Sequence, residues 1–254
     1  MKKTLTVLLG GLIMMTCLTT TVQAGAKDDP DFYKITNRLV YEDIYKNKKV
    51  GLAPKTREMV TLANLIVNYN EELVKEHTAL ALKVGLTPIE IKETMYQAAP
   101  YVGISKVYTV LDTVNEVMKE KGVKLPLASQ TTVTEANRLQ KGIDVQTAIF
   151  GEVIPKMRAA APENQKALQD YLSGYCFGDT YTRTGINIRA RELITFTVIA
   201  ALGGCEGQLK SHAAANLREG ASTDDLIDTL VVCMPYNGFP RTLNALACVN
   251  EVAQ

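Results

Sequence analysis

The sequence predicts an all-α protein made by tandem duplication of one helical unit, and three observations carry that reading. Apolar residues recur at helical spacing along nearly the whole chain, and no run alternates as a half-buried strand would. Landmark residues return in order. Arg57, Glu58 and Leu62 reappear as Arg191, Glu192 and Phe196 at an offset of 134, and His77, Gly85, Pro100, Tyr101 and Gly103 reappear as His212, Gly220, Pro235, Tyr236 and Gly238 at 135. Each copy also contains a helix start of the capping-box kind, Thr87-Pro88-Ile89-Glu90 and Ser222-Thr223-Asp224-Asp225.

The elements follow in order. Lys2-Lys3, the apolar run Leu5 to Leu18 and the small residues ending Val22-Gln23-Ala24 read as a secretory signal over 1–24. The mature chain then begins at Gly25 and is expected outside the cytoplasm, periplasmic or secreted. The apolar run is shorter than the ~20 residues a span needs, so no stable membrane span is expected after cleavage. Phe32 to Tyr45 carries apolar positions at helical spacing. Pro54 suits the first turn of a helix from about Arg57 to Asn68, apolar on most of its surface and therefore expected to be buried.

Glu71 to Val84 is the next helix, stopped by Gly85. The capping box then opens a helix that runs to Ala99 and meets Pro100, and an amphipathic helix follows from Ser105 to Lys119. Gly122 to Thr134 is poor in helix formers and reads as a linker. Beyond it, Arg138 to Ala160 reads as helix interrupted at Gly142 and Pro155, Ala167 to Phe177 as a short helix, and Gly178 to Ile188 as an irregular loop. The division is therefore a signal over 1–24, a first repeat over 25–122, a linker over 123–133 and a second repeat over 134–254.

Composition narrows the function classes. An apolar share of 46% is enough for a substantial core, and a formal net charge of +1 offers no basic field for nucleic acid. Past the leader there are four cysteines, Cys176, Cys205, Cys233 and Cys248, scattered through helical patterns and read mostly as small buried apolar side chains. Two histidines far apart in sequence and no close cysteine pair match no usual metal-ligand spacing, so neither metal nor cofactor is expected.

The second half carries Phe177-Gly178-Asp179, Arg183, Gly185-Ile186, Arg191-Glu192-Leu193-Ile194-Thr195, His212, Gly220 and Tyr236-Asn237-Gly238-Phe239-Pro240, then Asn244-Ala245-Leu246. With this set of motifs the chain resembles the carboxymuconolactone decarboxylase family, which includes the alkylhydroperoxidase D-like proteins. The resemblance covers 134–252 strongly and 35–118 more loosely. It implies an alkylhydroperoxidase D-like helical unit present twice, and a homo-oligomer in which a trimer of two-repeat chains mimics a hexamer of single ones.

The candidate chemistry centres on Glu192 and His212. Measured from the Gly203-Gly204 break at ~1.5 Å per residue, the two side chains lie at comparable heights on neighbouring helices. A carboxylate against imidazole fixes its tautomer and raises its basicity, as a proton carrier near neutral pH requires. Glu58 and His77 are the upstream equivalents. Arg183 is a candidate fork for a substrate carboxylate, and Tyr181 and Tyr236 are candidate lining residues.

Cys205 stands seven positions before His212, where the resemblance places the first cysteine of a CxxC pair, but Gln208 occupies the second position. Three functions follow. They are decarboxylation or isomerisation of a small carboxylated lactone or related acid through the Glu-His pair, a thiol-dependent peroxidase of peroxiredoxin type centred on Cys205, and a non-catalytic binding or assembly protein on the same scaffold.

Overall fold

The computed structural model describes residues 27–253, so the signal expected over 1–24 lies outside the described residues. Twelve α-helices and no strand make up the described part. In the first unit α1 (Pro30–Asn37) runs on as a π-helical stretch, Arg38–Ile44, and is followed by α2 (Pro54–Val67), α3 (Glu71–Lys83), α4 (Pro88–Val102) and α5 (Ile104–Glu120). Residues 121–137 carry no helix.

The second unit opens with α6 (Arg138–Phe150), α7 (Val153–Ala160) and α8 (Lys166–Tyr171), which continues as a π-helical stretch, Leu172–Tyr181. It closes with α9 (Ile188–Leu202), α10 (Glu206–Arg218), α11 (Thr223–Asn237) and α12 (Phe239–Val252). Among the described residues no helix is long and apolar enough to cross a membrane.

Local chemistry sets the same boundaries in both units. Thr87 and Glu90 cap α4 reciprocally, with bonds of 3.1 and 2.6 Å, and Ser222 and Asp225 cap α11 in the same way at 3.0 and 2.8 Å. Gly103 and Gly238 end those helices at φ 84° and 75°, where a side chain would be strained. Pro100 and Pro235 do not end their helices, as the sequence suggests. Each lies inside the last turn, where the helix has few further bonds for the proline to disturb.

Two other boundaries differ from the sequence reading. The long helix from Arg138 breaks at Gly151 (φ 79°), not at Gly142 or Pro155. Pro155 sits in the first turn of α7, which needs no donor from it. Gly142 is a packing position, because a Cβ there would lie 1.9 Å from the carbonyl oxygen of Ser173, and one on Gly178 would lie 2.2 Å from that of Arg138. The two glycines let α6 and the π-helical stretch touch backbone to backbone. The second difference follows from this contact: residues 178–181, expected as loop, remain helical to Tyr181.

The two units interlock. The mostly buried helices α2 and α9 pack against each other, while α4 of the first unit packs on α9 and α11 of the second packs on α2. Ile194 and Val198 of α9 thus join the first unit's core with Leu62, Leu65, Ile66, Ile91 and Met95. Val60 of α2 joins the second unit's core with Phe196, Leu226, Leu230 and Val249. A third, smaller cluster gathers Ile149, Cys176, Phe177 and Tyr181 beside α10.

Candidate active site

Helices α9 and α10 run antiparallel from the Gly203-Gly204 turn, and this hairpin brings Glu192 and His212 together. Glu192 Oε2 lies 2.8 Å from His212 Nδ1, with the carboxylate fully buried and the imidazole 8% exposed. Asn216, one turn beyond His212, donates to the backbone carbonyls of both Glu192 and His212 at 3.0 and 2.8 Å, which ties the two helices at this level.

The hydroxyls around Glu192 have one consistent arrangement. Tyr181 donates to Glu192 Oε1 at 2.7 Å, so its single proton is spent. Its oxygen then accepts from Thr195 at 3.0 Å and from Tyr101 at 3.2 Å. Gln97 donates to Thr195 at 3.1 Å and the Cys176 thiol to Tyr101 at 3.3 Å. Every proton in this network points toward Glu192, the arrangement a carboxylate acceptor demands. With Nδ1–H directed at Glu192, the free lone pair of a neutral His212 sits on Nε2. Burial pushes the Tyr181 and Tyr101 hydroxyls well above the usual phenol range, with Glu192 also raising Tyr181 and Cys176 raising Tyr101, so both stay protonated donors.

Aromatic rings enclose the imidazole. Tyr101 and Phe150 meet it edge to face, with centroids 5.6 and 5.3 Å away. His212 Nε2 has no hydrogen-bond partner among the described residues, in a side chain that keeps 8% of its surface in solvent.

The first unit repeats the arrangement with one change. Glu58 Oε2 lies 2.8 Å from His77 Nδ1, and Tyr236 meets the His77 ring edge to face at 5.6 Å, as Tyr101 does at His212. Here, however, the Tyr236 hydroxyl reaches His77 Nε2 at 2.9 Å, and the His77 side chain is fully buried. Tyr45 and Thr61 stand beside Glu58 where Tyr181 and Thr195 stand beside Glu192.

The residues singled out from sequence are thus distributed over several places. His212, Glu192 and Tyr181 meet in one centre, and Glu58, His77 and Tyr236 in the other. Tyr236, expected as a lining residue, completes the first unit's centre because α11 packs on α2, and the tyrosine beside His212 is Tyr101 of the first unit. Tyr101 was legible as the upstream copy of Tyr236; that the two exchange partners across the units was not.

Arg183 offers its fork inward. Its Nε and Nη2 bond Glu93 at 2.9 to 3.0 Å, and Arg191 holds the same carboxylate at 3.0 Å. Glu93, unmarked by any sequence motif, is therefore the carboxylate that Arg183 clamps.

Cys205 precedes the first turn of α10, about 10 Å along the helix from His212, packed against the second unit's core. Cys176, Cys233 and Cys248 are buried and all four described thiols are free. Burial pushes Cys176 and Cys233 up to about 12.

The family model for the carboxymuconolactone decarboxylase family matches this chain twice, over residues 30–116 and 166–251. The chain also resembles the 4-carboxymuconolactone decarboxylase of Acinetobacter baylyi, 26% identical over 121 residues that make up 47% of this chain and 90% of that protein. With most of its length matched in two consecutive copies, the chain belongs to the carboxymuconolactone decarboxylase family and carries its helical unit in duplicate.

Proposed function

We propose that this family member is an exported lyase or isomerase of the decarboxylase type, acting on a small carboxylated lactone or related acid at the His212 centre. When carbon dioxide leaves such a substrate, the electron pair left on carbon must take a proton. His212 takes a proton from solvent on the Nε2 lone pair, delivers it to that carbon and returns to the neutral form, while Glu192 fixes the ring and stabilises the imidazolium in between. The observation that supports this reading is the difference at one atom between the centres: Nε2 of His212 is unoccupied, whereas Nε2 of His77 is bonded to Tyr236. General acid-base groups of this kind contribute roughly 10²–10⁴-fold to rate.

The test is turnover of a carboxylated γ-lactone by the purified protein, followed by carbon dioxide release and by NMR of the product. His212→Gln is expected to lower turnover at least ~100-fold, and unchanged turnover sinks the proposal. A second reading, thiol-dependent peroxide reduction, draws support from Cys205, half-buried where the other three cysteines are buried, at the start of a helix. Peroxide consumed with a dithiol, and lost in Cys205→Ser, would favour it over the first. The exposed residues Leu168, Tyr171, Leu172 and Tyr175 support a homo-oligomer, proposed as a trimer, which sedimentation of the native chain would test.

A further inference from the structure

We propose that the chain has a second small-molecule site, separate from the His212 centre, which takes a small organic anion with an apolar ring or chain. It is a cavity of about 700 Å³ between α4, the end of α5 and the segment joining the two units. That volume is within the range of sites that hold small ligands. Neither histidine lines it.

The charge around the cavity selects the ligand. Lys92, Lys119 and Arg183 line it, and the one carboxylate in its wall, Glu93, is already shared between Arg183 and Arg191. Arg191 is fully buried, Glu93 is 1% exposed and Lys92 only 9%. Three cations thus line the space against one carboxylate that Arg191 holds from behind, Lys119 at the exposed rim and Lys92 in the poorly solvated part, with Asp112 acting on Lys92 from outside it. Lys92 gives one hydrogen bond, to the Asn115 side-chain oxygen, and an ammonium has three donors. Burial lowers the Lys92 pKa, the direction expected of a charge short of partners. An entering carboxylate would meet the remaining Lys92 donors and offset the excess charge.

The rest of the wall suits an apolar body. Leu125, Pro126 and Leu127 from the joining segment face Ile89 and the Tyr96 ring across the space. The fold itself does not demand these residues, because the second unit holds Ile227 where the first has Lys92 and Val231 where it has Tyr96. Lys92 and Tyr96 thus differ from the matching positions of the second unit, while Arg183 reaches the cavity from that unit. Through Glu93 and Arg191 the cavity adjoins α9 one residue before Glu192, so occupancy would bear on the helix that carries the catalytic carboxylate.

The experiment uses the native chain with benzoate as the anionic probe and benzamide as its neutral counterpart, followed by ligand-observed NMR titration. Benzoate is expected to bind saturably with a Kd of about 1 mM or tighter, and benzamide at least about tenfold more weakly. Lys92→Met and, at an exposed position, Lys119→Met should each weaken benzoate several-fold, with thermal melting verifying that both variants fold. His212→Gln should bind benzoate like the native chain, which keeps the result independent of the function proposed for His212. Absence of saturable benzoate binding up to about 10 mM, equal binding of benzamide, unaltered binding by both lysine variants, or loss in His212→Gln would each overturn the proposal.

Discussion

The His77 and His212 centres share the same hairpin, the same carboxylate contact of 2.8 Å and the same edge-on tyrosine, yet only one leaves an imidazole nitrogen unoccupied. The Tyr236 hydroxyl bonds His77 Nε2. Tyr101 has Tyr181 and Cys176 beside it and bonds there instead. Duplication has therefore kept the Glu-His pair twice while the hydroxyls around it diverged. In one copy the imidazole serves as a satisfied buried group, and in the other it retains a free lone pair.

The largest expected effect separates the two centres by turnover. His212→Gln should reduce it at least ~100-fold, while His77→Gln, at a centre whose Nε2 is occupied, should leave it within about twofold. Comparable losses in both variants would mean that two active centres exist and that Tyr236 moves aside in the working state.

Next comes Gly142→Ala, which acts on one centre only. The added methyl would fall 1.9 Å from a backbone carbonyl, so α6 must separate from the π-helical stretch that carries Tyr181 and Cys176. A loss of about 3 kcal/mol or more is expected in urea unfolding. A melt within error of the native chain would show that this close contact does not hold the His212 centre together.

Tyr236→Phe should have a smaller effect, about 1–2 kcal/mol, because it strips the partner from a fully buried His77 nitrogen. Tyr181→Phe in the other centre should lower turnover as well as stability, since it removes one of the two donors to Glu192. Equal consequences for turnover from the two phenylalanine variants would abolish the distinction drawn between the centres.

What the sequence made legible is what is local or repeated. The capping boxes and the approach of Glu192 to His212 follow from spacing along the chain, whereas the helix stops do not: the sequence suggests the first at Pro100 and the structure places it at Gly103. Other features depend on contacts between distant segments. Gly142 reads as a helix interruption until Ser173 is placed against it, Tyr236 reads as a lining residue with no histidine named until α11 is seen on α2, and Glu93 carries no motif although it holds two arginines. The π-helical stretches were equally hidden; the second packs backbone to backbone on α6 through Gly142 and Gly178, a contact between segments that no local pattern announces.

The smallest expected effect concerns the thiols and leaves turnover untouched if the decarboxylase-type reading holds. Cys176 and Cys233 stay protonated because burial pushes them up to about 12, against 9.0 when exposed. The stability that their neutral form contributes is complete below pH 9 and is lost as pH rises toward 12, since only the unfolded chain releases those protons in that window. At pH 8 the thiolate fraction of such a group is about 10⁻⁴, and Cys248 is buried too. Iodoacetamide applied to the native chain should therefore label Cys205 first, as mass spectrometry of peptides would register, and all four described cysteines only in denaturant. Labelling of Cys176 at a rate matching Cys205 would mean that the hydroxyl network from Tyr101 to Glu192 opens readily. The contrast between a closed and an available centre would then have to be sought in motion rather than in the position of one tyrosine.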